Sequence, residues 1–447
     1  MKYLNKIIEY LLYFLIFLLP VQTRWIIKAG DTEYSTYSLY GTDILLLVIL
    51  SLFIILKILN NEPRATNREQ RIWLLIKGLV LISAVSIFFA FDKQLALYKF
   101  GWLILGVGLF WLIIKANYSK IKLIYALLAG IFLQTVLGIW QFLIQSSFNT
   151  KWLGIASHNA IDLGTSVVET IGADGAGERW LRAYGGFDHP NMLGGVITMA
   201  ILFLIILLIA KSKTSNFSFI IFYFLLLIFS AALFFSFSRT AWLGLFVGLV
   251  VIIILAIFSK NLWQQKQLVK IILTMGVLFF ILFSQCQNLI ITRVKAEGRL
   301  EVKSTTERLM WLKGSWWLIK QNWLAGVGIG NYGLGIRKYE SKIINNAPAW
   351  RYQPVHNVFF LVWGETGIIG LIFFIGIIIY LIILNLKIFR QNHENQISVI
   401  LNLSILLALI ILLNFDHWLW SLHFGALFFW LIMGMVYKQL LIETVDK

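Results

Sequence analysis

The chain has 447 residues, 59% of them hydrophobic and only 13% charged, with a formal net charge of +17 and a mean hydropathy of +0.81. A soluble domain carries roughly a quarter charged residues, so lipid is the solvent for most of this protein. The basic excess has no continuous Lys/Arg tract and no soluble domain to build on, which excludes a nucleic-acid site. The single cysteine, Cys286, excludes an intrachain disulfide and reads as a small hydrophobe at the end of an apolar run.

In chain order, Lys2 and Lys6 precede an apolar run from Ile7 to Leu19. This reads as a first span and not a cleaved signal, because no small-residue cleavage site follows Pro20 and many further apolar runs do. At about 20 apolar residues per crossing of a hydrocarbon core roughly 30 Å thick, about twelve helical spans are predicted. They fall near 5–22, 43–60, 73–91, 97–115, 122–145, 191–211, 217–235, 240–259, 270–290, 356–386, 397–414 and 418–437. The expected fold is an all-α integral membrane protein, a single polytopic unit over 1–447.

Lysine and arginine favour cytoplasmic loops. With the N-terminus inside, alternate connections hold Arg64, Arg68 and Arg71; Lys115, Lys120 and Lys122; Lys211 and Lys213; Lys260, Lys266 and Lys270; then Lys387 and Arg390, before Lys438. The intervening short connections hold only Asp92 and Lys93, or Asp416. Both termini then lie in the cytoplasm of a multi-pass inner (cytoplasmic) membrane protein, and two long loops, 146–190 and 291–355, lie outside. No repeat of 20 to 50 residues and no low-complexity tract is present.

Four polar clusters converge on the outer side. Arg182-Ala-Tyr-Gly-Gly-Phe-Asp188-His189-Pro190-Asn191 opens the sixth span, where proline suits a first turn and Asp188 or Asn191 can cap it. A cap leaves Arg182 and His189 unexplained. Ser236-Phe-Ser238-Arg239-Thr240 must be a tight turn, and Arg239 either snorkels to the interface or holds an anion there. In the 291–355 loop, Ser304-Thr-Thr-Glu307 fits a capping box, and Leu309, Leu312, Trp316 and Ile319 recur at helical spacing. That amphipathic helix is expected on the membrane, with Trp311, Trp316 and Trp317 at headgroup depth and Arg308 on the face of Trp311.

Gly326-Val-Gly328-Ile-Gly330-Asn-Tyr-Gly333 contains a literal G-x-G-x-x-G, but no preceding strand or parallel sheet exists for a dinucleotide fold. Tight turning or close backbone approach is the expected use of these glycines. His356-Asn357 stand at the mouth of the tenth span, His356 as an interfacial hydrogen-bonding residue or a general base. Glu365, about 13 Å further along the helix, is expected to support the site. Gln134, Gln141 and Gln145 share one face of the fifth span and read as interhelical glue. Asp416 and His417 also lie outside.

The order Gly-Phe-Asp-His-Pro-Asn, Ser238-Arg239-Thr240, Arg308-x-x-Trp311, Gly-Val-Gly-Ile-Gly-Asn-Tyr, then His356-Asn357 with Glu365 and Gly367, resembles the O-antigen ligase and O-antigen polymerase superfamily over about 122–386. The resemblance implies a glycosyltransferase that moves an oligo- or polysaccharide from an undecaprenyl diphosphate carrier to a glycan, a lipid A core or another acceptor. The transfer would occur at the outer face of the cytoplasmic membrane, without a metal ion or other cofactor. The family roles, arginines on the donor diphosphate and a histidine that activates the acceptor hydroxyl, carry over onto the catalytic candidates Arg239, Arg308 and His356, with Arg182 just outside the motif. Arg182, His189, Asn191, Ser238, Asn357 and Glu365 are the substrate-binding candidates. Forked guanidinium groups suit a departing diphosphate, an imidazole can take the acceptor proton, and direct attack inverts the anomeric centre. The alternative from another class is a secondary transporter or polysaccharide flippase, which calls for midplane ionisable groups or broken helices in two corresponding halves. Glu365 is the one good candidate for such a group, and no halves are evident. A non-catalytic scaffold is the third reading.

Overall fold

A computed structural model describes residues 1–59, 67–171, 177–210, 216–258, 262–296, 298–340, 348, 351–391 and 396–445. Each of the twelve predicted spans falls on a helix: α1 (Lys2–Leu18), α2 (Gly41–Leu59), α3 (Asn67–Ser86), α4 (Lys93–Lys115), α5 (Lys120–Ile144), α6 (Pro190–Ala210), α7 (Asn216–Phe235), α8 (Arg239–Phe258), α9 (Leu262–Gln285), then α13 (Val358–Gln391), α14 (Gln396–Phe415) and α16 (His423–Val445). Among the described residues, eight helices are long and apolar enough to cross a membrane, and two shorter apolar segments lie in α8 and α14. Between α9 and α13 stand α10 (Gln287–Lys295), α11 (Arg299–Asn322) and α12 (Tyr332–Glu340), while α15 (Trp418–Ser421) is a single turn.

Large apolar side chains such as Ile58, Leu81, Phe88, Phe246 and Phe280 are exposed on the bundle surface. That is the expected inversion of a soluble fold when lipid replaces water. The central helix is α6, 94% buried along its apolar window and packed against α5, α7, α8 and α14. Its N-terminus opens into the polar end of the bundle. At the opposite end Lys115 pairs with Glu69 at 3.0 Å, and the Lys438 ammonium donates to the Ala116 carbonyl at 2.6 Å. Arg64, Lys211, Lys213 and Lys260, used in reading the orientation, lie outside the described residues.

Two antiparallel hairpins, which hydropathy does not announce, depart from an otherwise helical chain. β1 (Arg24–Lys28) pairs with β2 (Tyr37–Tyr40), with a register shift between Ile26 and Lys28. β3 (Val167–Ile171) pairs with β4 (Gly177–Leu181). Both lie at the polar end, where Gln22 donates to the Gly186 carbonyl at 3.1 Å.

The amphipathic helix of the outer loop departs from its predicted start. α11 begins at Arg299, so Ser304 sits inside the helix and does not cap it. The first turn carries Glu301, which is buried against Arg293 and Arg239, and this contact draws the helix start six residues upstream, with Gly298 in the cap position in place of Ser304. Trp311 is not a headgroup anchor: its indole donates to the Arg351 carbonyl at 3.1 Å, and its ring lies 5.3 Å from that of His356. Trp316 and Trp317 stay 44% and 42% exposed.

The glycine-rich stretch turns as expected, with φ of +70°, +93° and +73° at Gly326, Gly328 and Gly330. It docks on a break in α13. Gly367 is non-helical there, with φ 75°, and the freed backbone is satisfied from outside the helix: Val327 N–H donates to Gly364, Gly328 N–H to Glu365, and Ile368 N–H to Trp323, each at 2.9 Å. Irregular backbone at membrane depth is tolerated where protein covers it in this way.

A side chain at Gly326 would strike the Glu365 carbonyl and the Thr366 amide in a conformation that disfavours any Cβ. Gly326→Ala should therefore cost more than the roughly 1–2 kcal/mol of left-handed strain alone. A Cβ at Gly276 on α9 would meet open space, so thermal unfolding in detergent should show Gly276→Ala unchanged and Gly326→Ala clearly lower.

Candidate active site

The polar end holds a cavity of about 410 Å³ whose walls come from seven separated parts of the chain. Tyr34 belongs to the first hairpin loop, Ser166 to the start of β3, and Arg182 and His189 to the loop before α6. Arg293, Glu301, Arg308 and Trp311 come from α10 and α11, His356 precedes α13, and Asp416 and His417 join α14 to α15.

The loop carrying Arg182 is held by the glutamines of α5. The Gln145 Oε1 accepts from the Leu181 amide at 2.6 Å. Gln141 accepts from Tyr184 and Gly185 at 3.1 and 2.8 Å and donates to the Gly185 carbonyl at 2.8 Å. Gln134 accepts from Gly186 at 2.6 Å. The sequence reading of these residues as glue between helices is corrected: they clamp backbone amides at the end of β4 and in the loop that follows it.

From that loop the Arg182 guanidinium donates to the Ser236 carbonyl and to Asn191 Oδ1, both at 2.8 Å. The Asn191 amide then donates to Asp416 Oδ2 at 2.9 Å. The other carboxylate oxygen of Asp416 accepts from the His417 amide at 2.8 Å and faces His356 Nδ1 at 3.6 Å. At the start of α6 it is His189 that caps: the Asn191 backbone amide donates to His189 Nδ1 at 3.1 Å, and His189 Nε2 meets the Ser166 hydroxyl at 2.9 Å.

Around the guanidinium side, Glu301 pairs with Arg293 and with Arg239, the latter at 3.2 Å. Arg293 also donates to the Phe237 carbonyl at 3.0 Å, and Arg239 to the Arg293 carbonyl at 3.2 Å. Burial works against the charge of Arg182, with Arg293 adding to it, and burial does the same at Arg293 and Arg308. A guanidinium does not give up its proton, so the cost is expressed as a demand for an anion. Among the described residues, Arg308 makes no hydrogen bond or ion pair, although its charge senses Asp416 and Glu301.

On the imidazole side, burial pushes His189 well below its ordinary value, with Arg182 adding to the effect. Burial and the His356 charge bring His417 down to about 3. Burial alone would raise the Asp416 carboxyl, but the neighbouring imidazoles, His356 first, hold it well below the usual carboxylate range. Asp416 faces the Nδ1 side of His356 at 3.6 Å, a contact too long for a hydrogen bond.

Residues 223–375 match the O-antigen ligase family model. This segment is similar to O-antigen ligases, and the match supports a glycosyl-transfer role in polysaccharide assembly by a multi-pass membrane protein. No curated protein matches the chain. The matched segment holds Arg239, Arg293, Arg308, His356 and Glu365, whereas Arg182, His189, Asn191 and Asp416 lie outside the match and line the cavity together with Arg293, Arg308 and His356.

Of the residues singled out from sequence, the cavity brings together Arg182, His189, Asn191, Arg308 and His356. Arg239 stands behind Glu301. Ser238 accepts from the Ala241 amide at 3.4 Å to start α8. Asn357 accepts from Phe360 at 3.1 Å to start α13 and donates to the Asn414 carbonyl at 3.0 Å. Glu365 lies away from the cavity, accepting from the Trp420 indole at 2.8 Å. Arg293 and Glu301 escaped the sequence reading because the break between α10 and α11 puts their pairing out of any helical register. The ligand atoms of His356, Asp416 and His417 lie within 4.8 Å of one another, a spacing open both to a loose metal site and to a metal-free acid–imidazole pair.

Two outcomes follow for stability. Glu301→Ala strands two buried or half-buried guanidinium groups and should cost about 3–5 kcal/mol, whereas Arg299→Ala, which removes an exposed partner of Glu169, should cost under about 1 kcal/mol, both measured by thermal unfolding. Asp188, whose carboxyl is pushed up to about 6 by burial and by Glu33 against the pull of Arg24, binds its proton more tightly folded than unfolded. Its contribution is complete below about pH 4 and is lost as pH rises through that raised value. Melting curves between these limits should fall for the unsubstituted protein and stay flatter for Asp188→Asn.

Proposed function

We propose that the chain transfers an oligo- or polysaccharide from an undecaprenyl diphosphate carrier to an acceptor glycan at the outer face of the cytoplasmic membrane, both termini being cytoplasmic. The observation that carries this reading is an unengaged guanidinium, Arg308, sharing a cavity with an imidazole, His356, that faces a buried carboxylate. Arg182, Arg239 and Arg293 surround Arg308 with positive charge, the carboxylates acting most directly on them are Glu301 and Asp416, and Glu33, Asp188 and Glu307 also line the cavity.

In the proposed step the acceptor hydroxyl oxygen attacks the anomeric carbon and passes its proton to Nε2 of His356, the nitrogen turned away from Asp416. The bond from the anomeric carbon to the phosphate oxygen breaks, and its electron pair leaves with the carrier diphosphate. Arg308 bears most directly on that developing charge, with Arg182 and Arg293 behind it. Attack from the face opposite the leaving group inverts the anomeric centre. Arg239 holds Glu301, and through it α11, while His189 and Asn191 support the cavity wall. Ser238, Asn357 and Glu365 act by setting helix starts and the glycine-rich loop. The step is written without a metal ion; ligation to a lipid A core, polymerisation and transfer to another acceptor share it.

One observation favours the transporter or flippase reading: the break in α13 at Gly367, beside the buried Glu365. The glycine-rich loop fills that break, and no corresponding break in a second half accompanies it among the described residues.

The test is reconstitution of the full chain with a lipid diphosphate glycan and candidate acceptors. Arg308→Ala should lower transfer by about 10²–10³-fold, with Arg308→Lys rescuing poorly because an ammonium lacks the fork. His356→Ala should lose about 10²–10⁴-fold, and excess chelator should leave the rate unchanged. Movement of glycan across the vesicle with no product from any acceptor would transfer the assignment to a flippase.

A further inference from the structure

A second cavity, of about 260 Å³, lies under the first hairpin, walled by residues that include Asp31, Tyr34, Tyr37, Asp92, Arg337 and Tyr352. We propose that this cavity is the subsite for the acceptor saccharide, an assignment that rests on the transferase reading of the neighbouring site.

Tyr34 is a wall of both cavities. Its ring meets that of His417 edge-on at 5.6 Å, and His417 lies 4.8 Å from His356. A chain resting in the second cavity therefore needs only to pass Tyr34 to present a terminal hydroxyl to the proposed base.

The lining identifies the class of ligand. Lys28 and Arg337 are matched by Asp31 and Asp92, and Arg337 is already paired with Asp31 at 2.7 Å. A balanced lining offers no net positive charge to a phosphate, and four charged side chains disfavour an acyl chain. What it does offer is tyrosine faces, carboxylate oxygens and a phenol. The Tyr37 hydroxyl is buried with no hydrogen-bond partner among the described residues, a costly state that a ligand hydroxyl would relieve. Asp92 spends one oxygen on the Leu95 amide, at 2.9 Å, and its second oxygen is available to accept. Flat apolar rings beside convergent donors and acceptors suit a neutral pyranose, which has apolar faces and a hydroxyl edge.

The experiment uses the purified full-length chain in nanodiscs and, as probe, the free repeat-unit oligosaccharide released from the host's surface polysaccharide, with inorganic pyrophosphate as the contrasting ligand. Tyr37→Phe keeps the ring and removes only the hydroxyl, and Arg337→Gln changes an exposed side chain, so both should fold; thermal unfolding checks this. Each variant should weaken oligosaccharide binding about tenfold by calorimetry and raise the acceptor KM by a similar factor. Pyrophosphate binding, donor KM and slow donor hydrolysis should be unchanged. Oligosaccharide binding and acceptor KM equal to those of the unsubstituted chain in both variants would overturn the subsite, as would loss of pyrophosphate binding in its place. If the unsubstituted chain transfers nothing but binds the oligosaccharide in a Tyr37-dependent way, the saccharide site stands and the transferase reading falls.

Discussion

The side-chain amide of Asn191 joins the two halves of the candidate active site. Its oxygen accepts from Arg182 and its nitrogen donates to Asp416, so the guanidinium side and the imidazole side are set at a common distance by one planar group at the start of the central helix. An ammonium or carboxylate there would repel one neighbour or the other; an amide is neutral and offers a donor and an acceptor on one rigid plane. Because α6 is buried along nearly its whole length, its N-terminus cannot drift, and that rigidity passes through Asn191 to both sides of the cavity.

The supports around this joint share a physical origin. Within a lipid-solvated bundle, any backbone that leaves a helix must find partners inside the protein. Gln134, Gln141 and Gln145 supply them for the loop before α6. The kinked start of α13 and the glycine-rich loop supply them for each other. Polar residues at these depths look alike in sequence whether they bind substrate or satisfy amides: Ser238 and Asn357 accept from amides at helix starts, and Glu365 accepts from an indole.

Charge is mixed throughout the polar end. Arg182, Arg293 and Arg308 line one cavity together with Glu33, Asp188, Glu301, Glu307 and Asp416. The cavity under the first hairpin sets Lys28 and Arg337 against Asp31 and Asp92, and Tyr34 stands between the two cavities.

That the chain is a helical membrane protein, and where its helices run, is legible in hydropathy, because hydropathy over about 20 residues is a local property set by the lipid core. The glycine turns are legible too, and the alternation of basic connections groups Arg182, His189, Arg308 and His356 on one side of the membrane. Their meeting in one cavity was decided only by the tertiary structure. The pairings of Asn191 with Asp416 and of Arg239 and Arg293 with Glu301 cross large or irregular sequence separations, and no periodicity encodes them. The hairpins and the inward turn of Trp311 were likewise tertiary decisions, since each is stabilised by contacts with distant segments that outweigh the preference of the local sequence.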